Sequence, residues 1–385
     1  MDSALKEEML AEIKRVAELD SMKADTDAKK TVLDNKIISH RLEQMQQEEK
    51  SLEITKNSSF GTLSKEDIEL IVRDNDEYLE SAQNPITFIC SAFDNIIPFY
   101  RKNLIVVAAQ TGEGKSTAVA NIVYQALISK HKTTGKILRT LVLTNEEKRE
   151  DFYNRVTSLI KGWNYKNHSK FSKEQRKEFS RMIPILSSCG RLTVIDDSHG
   201  GTSGVTSSIE GLGTVFQKLI EDKEYYDIVI IDYYQNVFDS KRNPNMDIYA
   251  VQAKFTRMLD NFKNIYPAPI VVMSQLKPEK DKDKVPFQSR LMGSKTIMVP
   301  STLSIEMTID VKNLRTKWTI QKSRYGDANL EFHTGYDRGR FVEYNSAFVE
   351  KVQKMAYERE AKKIDQVINQ SNGLKDVFEK KEESK

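Results

Sequence analysis

Cysteine is nearly absent from this chain. Cys90 and Cys189 are the two among 385 residues, too few and too far apart for a disulfide framework or a zinc site. Reduced thiols in a reducing compartment are the reading that remains. A surplus of one charge sign is also missing. The formal net charge is +3, so no global field draws the chain to nucleic acid, and any such binding must rest on local patches. The amino terminus MDSALKEEML lacks the basic and apolar segments of a signal peptide, and no run of about 18 apolar residues occurs. The expectation is a soluble cytoplasmic protein with no membrane partner. Glycine and proline are missing from the first 60 residues, so nothing there interrupts a helix.

What fills that segment is periodic. Leu5, Met9, Ile13, Val16 and Leu19 form one stripe at helical spacing, and Val32, Ile37, Leu42, Met45 and Leu52 a second. Residues 1–60 are therefore expected to be an all-helical appendage. The stretch TLSKEDIELIVRDNDEYLESA opens on the capping box Ser64-x-x-Asp67 and keeps the helical period, which predicts a linker helix within 61–85. After Pro85 the pattern changes. LIVVAA, TLVLTN, RLTVID, YYDIVIID and APIVVMSQ are short apolar runs rich in Val and Ile, separated by helix-length stretches. Buried parallel strands have this composition, and a doubly wound α/β domain over 86–345 is expected. A charged helical tail, 346–385, ends in KKEESK.

Directly after the run Leu104-Ile105-Val106-Val107 stands AAQTGEGKST. Ala109-x-x-x-x-Gly114-Lys115-Ser116 has the spacing of a phosphate-binding loop joining a strand to a helix. The nucleotide-binding residues are then Ala109, Gln110, Thr111, Gly112, Glu113, Gly114, Lys115, Ser116 and Thr117. Gly112 and Gly114 permit the backbone angles that turn successive N–H groups inward as an anion nest. The helix that follows aims its positive end at the same point. Lys115 is expected on the β- and γ-phosphates and the Ser116 hydroxyl on Mg²⁺. Glu113 is costly beside phosphates and is expected to point outward.

A nucleotide hydrolase also needs a carboxylate for the magnesium shell at a neighbouring strand end. Asp232, closing Ile228-Val229-Ile230-Ile231, has that place. A polariser for the attacking water is expected after the strand Thr140 to Thr144, where Glu146 and Glu147 are rivals. Gln275, ending Ile270-Val271-Val272-Met273-Ser274, brings a polar group to the same edge, suited to sensing the γ-phosphate.

DYYQNV at 232–237, MSQLK at 273–277, LTVIDDS at 192–198 and QKSRYG at 321–326 resemble, in order and spacing, the motifs of DnaB-type replicative helicases. The resemblance spans about 86–343. It stops short of the first 60 residues, where the bacterial enzymes carry a larger globular domain. The compact appendage here is similar to viral or plasmid systems, which would make the location a host cytoplasm. The resemblance implies a RecA-like P-loop NTPase fold, ATP and Mg²⁺ as cofactors, and a ring, expected to be a hexamer, translocating on single-stranded DNA. It implies Glu146 as the glutamate that activates water and Gln275 as the link from the γ-phosphate to a DNA-facing loop. Lys322 and Arg324, in Lys-x-Arg-x-Gly, would reach into the adjacent subunit's site. A primase or a helicase loader is the implied partner. A RecA-like recombinase filament and a KaiC-like ATPase switch share the chemistry and are the alternatives.

Two loops after strands offer cations to the polymer. FDSKRNPNMDIY supplies Lys241 and Arg242, and LKPEKDKDKVPFQSRLMGSK supplies Lys277, Arg290 and Lys295. Acidic residues interleave the second loop, so its individual lysines read as solvated. Gly293-Ser294-Lys295 is the better phosphate contact, because small residues let the backbone approach.

Overall fold

The computed structural model describes residues 65–354 apart from 84, 95, 98, 131–134, 189, 199–203, 239–246, 279–284, 294 and 311–312. The expected helices of 1–60, the Ser64 cap, Lys241, Arg242, Ser294 and the tail beyond 354 lie outside the described residues.

The five apolar runs are five strands: β1 Leu104–Gln110, β2 Thr140–Thr144, β3 Leu192–Ile195, β4 Ile228–Asp232 and β5 Ile270–Leu276. Four more follow: β6 Leu303–Asp310, β7 Arg315–Ser323, β8 Glu331–Asp337 and β9 Arg340–Glu343. Together they make one sheet in the order β3-β2-β4-β5-β1-β6-β7-β8-β9. From β3 to β6 every pairing is parallel, and from β6 to β9 every pairing is antiparallel. This is the mainly parallel α/β sheet that the alternating pattern predicts, carrying an antiparallel extension that it does not announce.

The helices are α1 Lys65–Gln83, α2 Lys115–Ile128, α3 Arg149–Lys161, α4 Lys173–Ser188, α5 Ile209–Glu221, α6 Ile248–Ile265 and the single turn α7 Phe287–Arg290. Successive strand residues point to opposite faces, and β1 divides accordingly. Ile105, Val107 and Ala109 enter one core with residues of α2, α3 and α4, while Leu104, Val106 and Ala108 enter the other with residues of α5 and α6. A strand covered on both faces has no polar positions to alternate, which is why β1 reads as a continuous apolar run. The carboxyl ends of β1, β2, β4 and β5 therefore share one edge, where open parallel sheets bind ligands.

The antiparallel extension is anchored by Trp318, fully buried on β7. Its ring packs edge-on against Phe93 at 4.9 Å and Phe341 at 5.2 Å, and its indole N–H donates to Thr334 Oγ1 at 2.9 Å. The helix α1 is held to the domain by charge. Asp74 and Glu77 pair with Lys102 and Arg101, and Tyr78 packs edge-on against Tyr100. Along another face Ile68, Ile71, Val72 and Leu79 are exposed.

Candidate active site

Between β1 and α2 the chain makes the turn that the glycines allow. Gly112 and Gly114 have φ of +82° and +83°, in the left-handed region that a Cβ disfavours. At Gly114 a Cβ would also stand 2.6 Å from Ile309 Cδ1 on β6. The backbone angle is the constraint that calls for glycine here, since the end of the Ile309 side chain can move aside. Lys115 opens α2 and is buried, with Nζ 5.7 Å from the centre of the Tyr233 ring. Asn121 fixes the helix from behind. Its amide donates to Thr117 O at 2.8 Å and Gly339 O at 2.7 Å, and its oxygen accepts from Phe341 N–H at 3.0 Å.

Glu113 does not point outward. Its carboxylate folds back on the loop and accepts from Gln110 N–H at 3.4 Å. Burial holds its carboxyl above the usual range; the Gln110 N–H acts the other way, Glu306 pushes it up, and Arg290 and Lys115 pull it down. The outward expectation fails because the Gln110 N–H holds the carboxylate back on the loop.

Asp232 ends β4 opposite Thr144 of β2 and is 1% exposed. Burial first, then the charges of Glu146 and Glu147, push its pKa up to about 7 against the pull of Lys115 and Arg155. Its Oδ1 is buried without a hydrogen-bond partner, an orphan that native structures rarely tolerate without an ion or water. A Mg²⁺ fits this chemistry. Asp232 and the Ser116 hydroxyl are hard oxygen donors, and Mg²⁺ usually takes its remaining ligands from phosphate and water. Among the described residues no group of three or more His, Cys, Asp or Glu side chains could cage a metal.

Folded, Asp232 holds its proton to about pH 7, whereas an unfolded aspartate releases it near about 3.9. Its protonation therefore favours the native state in acid, and that contribution is lost as pH climbs through about 7. Asp232→Asn should stabilise the protein in EDTA at about pH 8, by on the order of a few kcal/mol, with the gain shrinking toward about pH 5. Thermal unfolding at the two pH values checks this; an equal gain at both would contradict it.

The two glutamates after β2 are in different situations. Glu147 accepts from Arg155 Nη2 at 2.9 Å and Nε at 3.2 Å and is half-buried. Glu146 is exposed, and its charge is felt at Asp232. Asn145 fixes the loop that carries both: its amide donates to Tyr233 O at 3.2 Å and Thr206 O at 3.3 Å, and its oxygen accepts from Tyr233 N–H at 3.1 Å. Arg155 of α3 thus occupies Glu147 and leaves Glu146 exposed.

Gln275 pairs with Ala109 across β5 and β1, and its amide donates to Thr111 Oγ1 in the phosphate loop. Gln235 sits behind it, a residue to which the sequence reading gives no role. Gln235 accepts from Gln275 N–H at 3.0 Å and donates to Ser274 Oγ at 2.7 Å and Met292 O at 2.8 Å. It joins the end of β4 to β5 and to the segment beyond it. The available signal was a polar side chain between Tyr234 and Val237, both buried.

The expected polymer contacts divide. Lys277 and Lys295 are exposed at this edge, Lys295 with Nζ 3.4 Å from Ser289 Oγ. Arg290 is not available to a phosphate: it is buried and ion-paired with Glu306 of β6 at 2.7 Å. Gly293, at φ +80°, is required by its backbone conformation, which a side chain would strain; a Cβ there would also displace the end of the Gln252 side chain. Backbone approach to a phosphate is not needed to explain it.

Lys322 and Arg324 lie far from the phosphate loop of their own chain. β6 runs parallel to β1, with Leu303 opposite Ile105 and Thr302 N–H bonded to Leu104 O. Arg324 N–H bonds to Thr302 O at 2.9 Å, and its guanidinium to Val299 O at 2.8 Å. Arg324 is thus level with the start of β1, whereas the phosphate loop begins after its end, a separation of roughly 20 Å along the strand at about 3.3 Å per residue. Arg324 is exposed. Lys322 differs from expectation: its ammonium donates to Met298 O, to Ser301 O at 2.7 Å and to Val299 O at 3.2 Å. Three carbonyls engage it within its own chain, so it braces the 298–301 turn beside Arg324.

A family model described as DnaB-like helicase C terminal domain matches residues 89–338. No curated protein matches the chain. Among solved structures, one described as an ATPase domain is 17% identical with a TM-score of 0.56, over 74% of this chain and 100% of that one. A DnaB-like replicative helicase, described with its interactions with primase, is 16% identical with a TM-score of 0.56, over 83% of this chain and 76% of that one. At such identities the likeness speaks to the fold, and the fold is RecA-like.

Proposed function

The chain belongs to the family of DnaB-like helicase C-terminal domains, and from that premise we propose that it is an ATP-dependent replicative DNA helicase acting as a closed ring, hexameric, that moves along single-stranded DNA. Residues 86–345 are the motor, 61–85 the linker and 1–60 a helical appendage. One observation carries this reading. The phosphate loop and Arg324 lie at opposite ends of the β1–β6 pair, so the arginine that would meet the charge on the transferring phosphoryl must come from a neighbouring copy.

Lys115 neutralises the terminal phosphates, and the loop N–H groups cradle the others. Asp232 and Ser116 would hold a Mg²⁺, which supplies positive charge against the phosphates when bound. Glu146, whose rival is engaged by Arg155, orients and deprotonates the attacking water. Gln275, held on Gln235 and reaching Thr111, carries the state of the γ-phosphate toward the loop after β5. The exposed stripe of Ile68, Ile71, Val72 and Leu79 on α1 suits packing on the next subunit. Primase or a loader is the expected partner; the primase interactions described for the replicative-helicase structure support the first.

Strand displacement on a forked duplex tests the reading. The protein should unwind the fork with ATP, and Glu146→Gln should keep nucleotide binding while hydrolysis and unwinding fall about 10²- to 10⁴-fold. ATP hydrolysis with no displacement of any fork would favour a KaiC-like switch instead. Open filaments on single strands, seen by electron microscopy, would favour a recombinase.

A further inference from the structure

Arg290 and Glu306 form a buried ion pair at 2.7 Å, and no step described so far uses it. Its location is specific. Arg290 ends α7, in the segment that returns to β5, where its carbonyl accepts from Lys277 N–H at 2.7 Å and Leu291 bridges Leu276. Glu306 lies on β6 opposite Ala108, the residue of β1 that leads into the phosphate loop. The second Glu306 oxygen accepts from Gln321 Nε2 at 2.9 Å. Gln321 is the unpaired residue of the β6–β7 register shift at Ser304/Ile305, close in sequence to Arg324. Glu113 of the phosphate loop feels the charges of this pair and, less strongly than Arg290, that of Lys115.

We propose that Glu113, Arg290 and Glu306 are positioning residues that couple nucleotide occupancy to the polymer-facing segment after β5; this rests on the helicase reading above. The cause is charge balance. With the loop empty, Arg290 holds Glu306, and Arg290 and then Lys115 compensate Glu113. When a triphosphate engages Lys115, Arg290 is left as the cation that compensates Glu113 beside Glu306, and its grip on the pair tightens. Because Arg290 is the end of α7, the tighter grip fixes the segment that leads into Gly293 and Lys295. Loss of the γ-phosphate returns part of Lys115 to Glu113 and loosens α7. Gln321 gives the same pair a hold on the strand that ends at Arg324.

The test is thermodynamic linkage on the full chain. The affinity of a fluorescent oligo-dT strand is measured with a non-hydrolysable ATP analogue and Mg²⁺, and again without nucleotide. The ratio of the two affinities is the coupling. For the unaltered protein the expected ratio is about tenfold, within the usual span for linked sites. Glu306→Gln should bring it to about twofold or less, while analogue binding and turnover without DNA stay near their original values. A residue that only supported the fold would shift both affinities and leave the ratio alone. Should Glu306→Gln fail to fold, Glu113→Gln carries the same expectation for the ratio, because an amide oxygen can still accept from Gln110 N–H. A ratio of one in the unaltered protein, or an unchanged ratio in both variants, overturns the coupling. Strand displacement by the unaltered protein, measured beside it, decides the helicase reading separately.

Discussion

Replacing Lys115 by alanine should abolish ATP turnover, a fall of at least about 10³-fold in steady-state phosphate release, without loss of the fold. The loop N–H groups are dipoles fixed at the start of α2, whereas Lys115 is the one full positive charge that the loop itself carries. Preorganised charge of this kind gains strength in a site that excludes water, and removal of even one neutral donor from such a site costs about 10²- to 10³-fold. The side chain is buried beside the Tyr233 ring, so its truncation removes some packing along with the charge. A melting temperature close to that of the parent protein is the control. Turnover retained at a tenth or more of the parent rate, with the variant folded, would mean that this loop is not where ATP reacts.

Arg324→Ala should leave analogue binding nearly intact and lower hydrolysis by around 10³-fold, the scale of an arginine supplied to a transferring phosphoryl group. Binding survives because the guanidinium meets charge that develops during the reaction. The variant should be rescued in part by mixing with Lys115→Ala. In mixed assemblies an intact loop from the first variant meets an intact arginine from the second. Phosphate release measured across mixing ratios should pass through a maximum where both pure variants are inactive. A flat profile, in mixtures shown to co-assemble, would place the arginine's action within one chain and sink the trans arrangement.

The parts of the site that are local in sequence were legible there. The phosphate loop needs two glycines, a lysine and a hydroxyl after one strand, and Asp232 and Gln275 are strand-end residues marked by the apolar runs before them. What escaped depends on partners brought by the fold. Glu146 and Glu147 are equivalent until Arg155 on α3 engages the second. Arg290 reads as a cation offered to the polymer until β6 brings Glu306 to it. Glu113 reads as a residue facing water until the Gln110 N–H holds its carboxylate back on the loop. Gly293 is explained by the positive φ that its turn requires, which the local sequence does not announce. The antiparallel strand β7 alternates buried with partly or fully exposed positions along its first six residues, a weaker signature than the saturated runs of β1, β2, β4 and β5.

The distance between Arg324 and the loop it cannot reach has an arithmetic consequence. With the arginine supplied in trans as proposed, each junction between copies would finish one pocket, so an open row would have one pocket fewer than it has members, and the copy at its end would be idle. Joining the two ends removes the idle member. Specific activity should therefore climb with the size of an incomplete assembly and level off only on closure, so that the number of copies can be read from a rate.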